Sequence, residues 1–111
     1  MEIFRPKTPR STAVEDTLER ITKHSGVTTV IVLSEDDLPI MSNADGTATM
    51  AYANVSRPLE LMARATIRDI DPTNELVAIR MRTKKNEIIL APQDNKLLVV
   101  AQSLVPKDEQ D

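Results

Sequence analysis

The sequence predicts an α+β fold in which a single sheet lies between two helices. Two amphipathic stretches of helical period, one near the start and one in the middle, alternate with short β-branched and apolar runs. Two of these runs, 27–33 and 96–102, are apolar on both faces, so each face of the sheet needs a cover. The predicted layers are therefore helix, sheet and helix, with a five-stranded, mainly antiparallel sheet and the element order α-β-β-α-β-β-β.

Length and composition favour one small domain. A chain of 111 residues suits a single core, and with Phe4 and Tyr52 as its only aromatic residues that core must be aliphatic. We predict a flexible tail at 1–11, a folded domain at 12–105 and a frayed tail at 106–111. The chain has no cysteine and no apolar run near the roughly 20 residues that span a bilayer. These features indicate an intracellular protein without membrane insertion.

The first helix is predicted from the stretch STAVEDTLERITKHSG, residues 11–26. Thr12 and Glu15 form a capping box, in which each side chain satisfies a free backbone N–H of the other residue. Gly26 can adopt the left-handed conformation that ends a helix. The apolar residues at helical spacing are Val14, Leu18 and Ile21.

A second helix is predicted over 49–68, after strands at 27–33 and 38–42 and a loop at 43–49. Asp71-Pro72 ends it, because the residue before a proline avoids the helical region. One apolar stripe comprises Tyr52, Val55, Leu59, Met62 and Thr66, widened by Ala51, Ala63 and Ile67. Because this stripe keeps its phase across Pro58, the proline is predicted to kink the helix rather than end it.

Three further strands, 75–82, 86–91 and 96–102, are joined by short connections and predict an antiparallel meander. With 86–91 in the middle, the stretch 75–83 is an edge strand whose free side invites pairing with a second chain. Val77, Ile79 and Met81 lie on one face of this strand, with Arg80 and Arg82 on the other, and the apolar face needs to be covered by other residues. Ile79→Pro would weaken pairing with a second chain, provided that the N–H of Ile79 faces the free edge.

Residues that could carry chemistry are sparse. His24, the one histidine, falls in the last turn of the first helix, where a cation favours the helix dipole. The acidic run Glu35-Asp36-Asp37 lacks the spaced ligands of a calcium loop and is interpreted as a solvated turn. We therefore predict no catalytic site, no cofactor and no metal.

The positive charge gathers at one hairpin, in an otherwise acidic chain of formal charge -3. Arg80, Arg82, Lys84 and Lys85 lie within six positions, with the lysines at the predicted tip. A nucleic-acid patch is one hypothesis, but the overall charge is unfavourable and neither aromatic residue lies nearby. The arginines are better placed to meet acidic groups of a partner protein, so no nucleic acid is expected.

The run RDIDPTNEL…IRMRTKKNEIILAP, within 63–92, resembles the roadblock-type light chains of dynein. VEDTLERITKHSGV (14–27) is similar to that family's opening helix and IVLSEDDLPIMS (31–42) to its first hairpin, so the resemblance covers about 13–103. It implies the roadblock/profilin-like fold and a non-enzymatic motor subunit that binds the dynein intermediate chain. Cytoplasm and cytoskeleton are the implied location, with the axoneme as an alternative. A roadblock-fold regulator of a small GTPase is the second hypothesis.

The resemblance also implies a homodimer, or a heterodimer with a related light chain, formed by the second helix and the third strand. The residues carried over to that interface are Val55, Leu59, Met62, Thr66, Leu76, Val77, Ile79 and Met81. Pro58 and Glu60 depart from the family pattern, since Glu60 stands where an apolar residue is usual. Both are expected on the dimerising surface.

Overall fold

The computed structural model describes Arg20 and residues 26–104, which form one antiparallel sheet and a long helix. The elements are β1 (Val27–Leu33), β2 (Pro39–Ser42), α1 (Gly46–Ile70), β3 (Ile79–Arg82), β4 (Asn86–Gln93) and β5 (Lys96–Ser103). Arg20 is helical and exposed. The rest of the first predicted helix, and the tails at 1–11 and 106–111, lie outside the described residues.

The five strands run in the order β2-β1-β5-β4-β3, and each pairs antiparallel with its neighbours. The predicted meander is confirmed as β3-β4-β5, and the first predicted hairpin as β1-β2. In this order β5 is the central strand, and β2 and β3 are the two edges of the sheet.

The core occupies both faces of the sheet, as the two-sided apolar strands predict. Towards α1 the buried cluster comprises Ile31, Leu33, Leu90, Leu97 and Val99 with Ala53 of the helix. On the opposite face Val30, Val32 and Met41 are buried together. β1 and β5 supply most of these side chains, and each of these strands has a neighbouring strand on both sides.

Helix α1 begins three residues earlier than predicted, because Asp45 caps it. The Asp45 carboxylate accepts a hydrogen bond of 2.8 Å from the Ala48 N–H, which satisfies one of the free donors of the first turn. At the other end Asp71 follows the last helical residue, Ile70, as the Asp-Pro sequence predicts. The helix continues without a break through Pro58, so the prediction that this proline does not end it is confirmed.

The most deeply buried side of α1 is not the predicted apolar stripe, of which only Tyr52 and Leu59 pack on the core cluster. Its buried residues are Thr49, Ala53, Ser56 and Glu60. Glu60 was expected on the dimerising surface, and that expectation is wrong. The helical period identifies the residues that share a side of the helix. The side that the sheet buries is the neighbour of the most apolar side.

Strand β3 is shorter than predicted, because it begins at Ile79 rather than at 75. Its register with β4 would place Val77 opposite Pro92, two positions beyond the last pair, Ile79 with Leu90. Pro92 has no N–H to donate to a neighbouring strand, so the ladder stops before reaching it. Residues 74–78 have no regular secondary structure, and Val77 is 77% exposed.

Candidate protein-interaction surface

The outer edge of β3 presents backbone groups that pair with no other strand among the described residues. The Thr83 N–H donates to the Asn86 carbonyl at 2.7 Å, which makes these two residues a hydrogen-bonded pair of the β3-β4 ladder. Such pairs alternate along antiparallel strands, so Ile79 and Met81 also direct their N–H and C=O groups towards β4. Those of Arg80 and Arg82 point to the free edge. A proline at Ile79 would therefore damage β3-β4 pairing and would not test an interface.

Helix α1 carries an exposed apolar stripe. Val55 is 62% exposed and Met62 is 68% exposed, and Thr66 lies on the same side of the helix. Leu59 belongs to this side as well, and it packs on the same core cluster as Ile79 of β3. The Ile79 side chain therefore points to the face of the sheet that α1 covers.

Two groups can be distinguished among the eight predicted interface residues. The exposed ones are Val55, Met62, Thr66 and Val77. The half-buried ones are Leu59, Leu76, Ile79 and Met81. An isolated chain thus leaves large apolar side chains in water next to an unpaired strand, an arrangement typical of surfaces that bind another protein.

The basic hairpin is organised by a carboxylate that sequence reasoning missed. Glu87 of β4 is buried on the face opposite α1, and it lies directly across from Arg82. Arg80 donates from Nε, at 2.8 Å, and from Nη2 to Glu87 Oε1. Arg82 donates from Nε at 3.4 Å and from Nη2 at 3.2 Å to Glu87 Oε2. One carboxylate therefore orients two guanidinium groups.

These contacts favour the ionised form of Glu87. Hydrogen bonding from Arg80 lowers the pKa of Glu87 below its ordinary value, burial opposes this shift, and Arg82 adds to the lowering. The pairing could have been anticipated from the strand register. Residues on β3 and β4 whose numbers sum to 169 lie opposite each other, as Arg82 and Glu87 do.

Lys84 and Lys85 form the tip of this hairpin, as predicted, and both are exposed. Thr83 closes the turn, because its hydroxyl oxygen accepts from the N–H groups of Lys85, at 3.2 Å, and Asn86, at 3.0 Å. Within residues 26–104 neither lysine makes an ion pair. The structure thus brings the four predicted cations together, and among the described residues only the two arginines have an acidic partner.

A second ionic network lies between α1 and the β1-β2 turn. Arg57 donates from Nε to Asp37 at 2.8 Å and from Nη2 to the Ser34 carbonyl at 2.9 Å. Glu60 is fully buried, bonds to Arg64, and lies 3.9 Å from Nη1 of Arg57. This network fastens the helix to the acidic turn. Its spacing, with arginines three residues before and four after a glutamate, is visible in the sequence.

The described residues also form a cleft beyond the end of α1. It has a volume of about 760 Å³ and is lined by Arg64, Arg68, Thr73, Asn74 and Glu75 among others. No group of three or more acidic or histidine residues among those described could hold a metal ion. Within the same part of the chain, no helix has the length and apolar character needed to cross a membrane.

An antiparallel five-stranded sheet with one long crossing helix and an open edge defines an α+β scaffold of the roadblock type. The model of the Roadblock/LC7 domain matches residues 13–103, and the chain belongs to that family. A solved Roadblock/LC7 domain from Streptomyces avermitilis is similar in fold, with a TM-score of 0.69 over 78% of this chain and 73% of that one. The two sequences are 12% identical, so this likeness concerns the fold alone.

Proposed function

We propose that this chain is a non-catalytic light-chain subunit of a dynein motor complex. In this role it pairs with a second light chain, binds the dynein intermediate chain and supports microtubule-based transport in the cytoplasm or the axoneme. The dynein assignment is supported by the resemblance of RDIDPTNEL and IRMRTKKNEIILAP to the dynein branch of the family.

The observation that carries the adaptor role is the open edge of β3, in a chain whose helix α1 also exposes an apolar stripe. Pairing of two β3 edges would give hydrogen-bond partners to the outward-facing backbone N–H and C=O groups of Arg80 and Arg82. It would also extend one sheet across two chains. The same contact would cover Val55 and Met62, which are exposed in the single chain. Antiparallel pairing of identical strands is a two-fold contact, the commonest symmetry among oligomers.

Dimerisation is tested by replacing an outward backbone donor. Arg80→Pro removes the N–H that faces the free edge, and a proline is tolerated within the chain at such an edge position. Arg80→Ala is the matched control, because it removes the same side chain and keeps the N–H. We expect light scattering at micromolar concentration to report a dimer for the control and weaker association for the proline variant. A wild-type monomer, or equal masses for the two variants, would contradict edge pairing.

The dynein assignment is tested by affinity capture with the tagged full-length chain, followed by mass spectrometry. Enrichment of a dynein intermediate chain is the expected result, and a related light chain in the same eluate would show a heterodimer. A small GTPase recovered without any dynein chain would contradict the assignment and favour the regulator hypothesis.

A further inference from the structure

We propose that the basic surface formed by Arg80, Arg82, Lys84 and Lys85 binds an acidic peptide segment of a partner protein. This inference rests on the adaptor function in one respect, since it assumes that the ligand is a protein. It does not depend on which motor the partner belongs to. It adds to the proposed function the chemical character of the segment and the residues that bind it.

Both arginines keep free N–H donors in the part of the chain that the structure describes. A guanidinium carries five N–H groups in a planar fork. Arg80 and Arg82 each use Nε and Nη2 to bind Glu87, so roughly three N–H groups of each remain. The two side chains are 68% and 71% exposed, so these donors are accessible to a ligand.

Among the described residues, the hairpin carries more positive charge than its acidic partner balances. Glu87 supplies one negative charge to two guanidinium groups, which leaves one positive charge in excess. Lys84 and Lys85 add two more at the tip of the same hairpin, without acidic partners among the described residues. Among the described residues, the acidic turn 35–37 lies at the opposite end of the sheet from this hairpin. A negatively charged ligand would complement this surface.

The two arginine side chains are already held in place in the unbound protein. Buried Glu87 restricts the rotamers of both arginines before a ligand binds. Binding would therefore cost less side-chain entropy than it would with unrestrained arginines. Arg80 and Arg82 are at alternate positions of one strand, so their stems emerge on one face about 7 Å apart. Carboxylates at alternate positions of an extended peptide have the same spacing.

An acidic peptide fits this surface better than a nucleic acid does. Single-stranded nucleic acids are bound by stacking on aromatic side chains as well as by phosphate contacts. Tyr52 is the one aromatic residue between 26 and 104, and it packs on the core on the other side of the sheet. The formal charge of -3 on the whole chain also opposes a long polyanion.

The test uses the full-length protein and a fluorescein-labelled oligoglutamate peptide, followed by fluorescence anisotropy at low ionic strength. An oligolysine peptide of the same length and an oligothymidylate serve as comparison probes. The test variant combines Lys84→Glu with Lys85→Glu, which spares the Glu87 contacts. The control variant combines Arg68→Glu with Lys96→Glu, which changes the net charge equally at exposed positions elsewhere. Circular dichroism establishes that both variants are folded.

We expect the wild-type chain to bind oligoglutamate, added salt to weaken this binding, and the hairpin variant to bind about tenfold more weakly. The control variant should lose much less affinity. Absence of oligoglutamate binding, equal loss in both variants, or tighter binding of oligothymidylate would overturn the proposal. If that happens while the wild-type chain still dimerises and captures a dynein intermediate chain, this inference alone has failed.

Discussion

At the scale of single residues, Glu87 explains why the positive charge of this chain is concentrated on one hairpin. A buried carboxylate needs partners, and Arg80 and Arg82 supply charged hydrogen bonds to both of its oxygens. The arginines therefore stabilise the hairpin itself, in addition to the proposed binding of a ligand. Lys84 and Lys85 have no such internal role among the described contacts.

Glu87 should make the stability of the protein depend on pH in the acid range. Its folded pKa is below the ordinary glutamate value, so in that range the unfolded chain binds more protons than the folded one. Stability consequently rises with pH there, and the contribution of Glu87 is complete above the ordinary pKa. It is lost as the pH falls through the lowered folded value.

The Glu87→Gln variant tests this dependence. Urea unfolding of the wild-type and variant proteins is measured at one protein concentration and a series of pH values. The difference between their free energies of unfolding should become smaller as the pH falls. Asp71 also has a lowered pKa, because Thr73 donates to it, but it is present in both proteins and its effect cancels. A gap that stays constant from neutral pH into the acid range would contradict the role of Glu87.

At the scale of elements, α1 accommodates a proline because of where its water-exposed side lies. Pro58 cannot donate to the carbonyl of Asn54, one turn earlier, and its ring crowds that carbonyl. Both residues are exposed, so water can bond the carbonyl that the helix leaves free. This placement explains why the helix remains continuous from Gly46 to Ile70.

Replacing this proline should stabilise the helix. Pro58→Ala restores the missing hydrogen bond and a residue of high helix propensity, with an expected gain of about 1–3 kcal/mol in the free energy of unfolding. Asn54→Ala is the control, since it changes an exposed side chain and keeps the proline, and we expect a change within about 0.5 kcal/mol. Urea unfolding measures both. A Pro58→Ala variant no more stable than wild type would show that the proline imposes no cost.

At the scale of the whole molecule, the exposed apolar residues are distributed unevenly around α1. Val55 and Met62 lie on the side of the helix that also carries Leu59, and Leu59 packs on the same core cluster as Ile79 of β3. Met50 and Leu61 are exposed on a different side of the helix. If the stripe is the dimer interface, only the first pair should matter for association.

The two pairs provide a matched comparison. Val55→Asp with Met62→Asp should weaken the dimer at least about tenfold, because charged groups replace side chains whose burial is worth roughly 1.5–3 kcal/mol each. Met50→Asp with Leu61→Asp should leave the dimer nearly unchanged. Sedimentation equilibrium measures both constants. Equal weakening by the two double variants would place the interface elsewhere.

For the described residues, the sequence by itself determined the order of the elements and the edge position of β3. Alternation of period two and stripes of period 3.6 identify strands and helices because backbone geometry imposes those repeats on any side chain. Short connections made 75–82, 86–91 and 96–102 a meander, which leaves its first strand at an edge. The turn residues Asp71 and Pro72 placed the end of the helix, and the lysines fell at the hairpin tip as predicted.

Only the tertiary structure decided how these elements meet. Periodicity shows which residues of α1 share a side, but the sheet selects the buried side, and it selected the one with Ser56 and Glu60. The length of β3 depends on Pro92, which is distant in sequence and becomes its neighbour only through the register. The same register places Glu87 beside two arginines. Contacts of this kind join residues across strands and helices, and their energies depend on positions that no local pattern encodes.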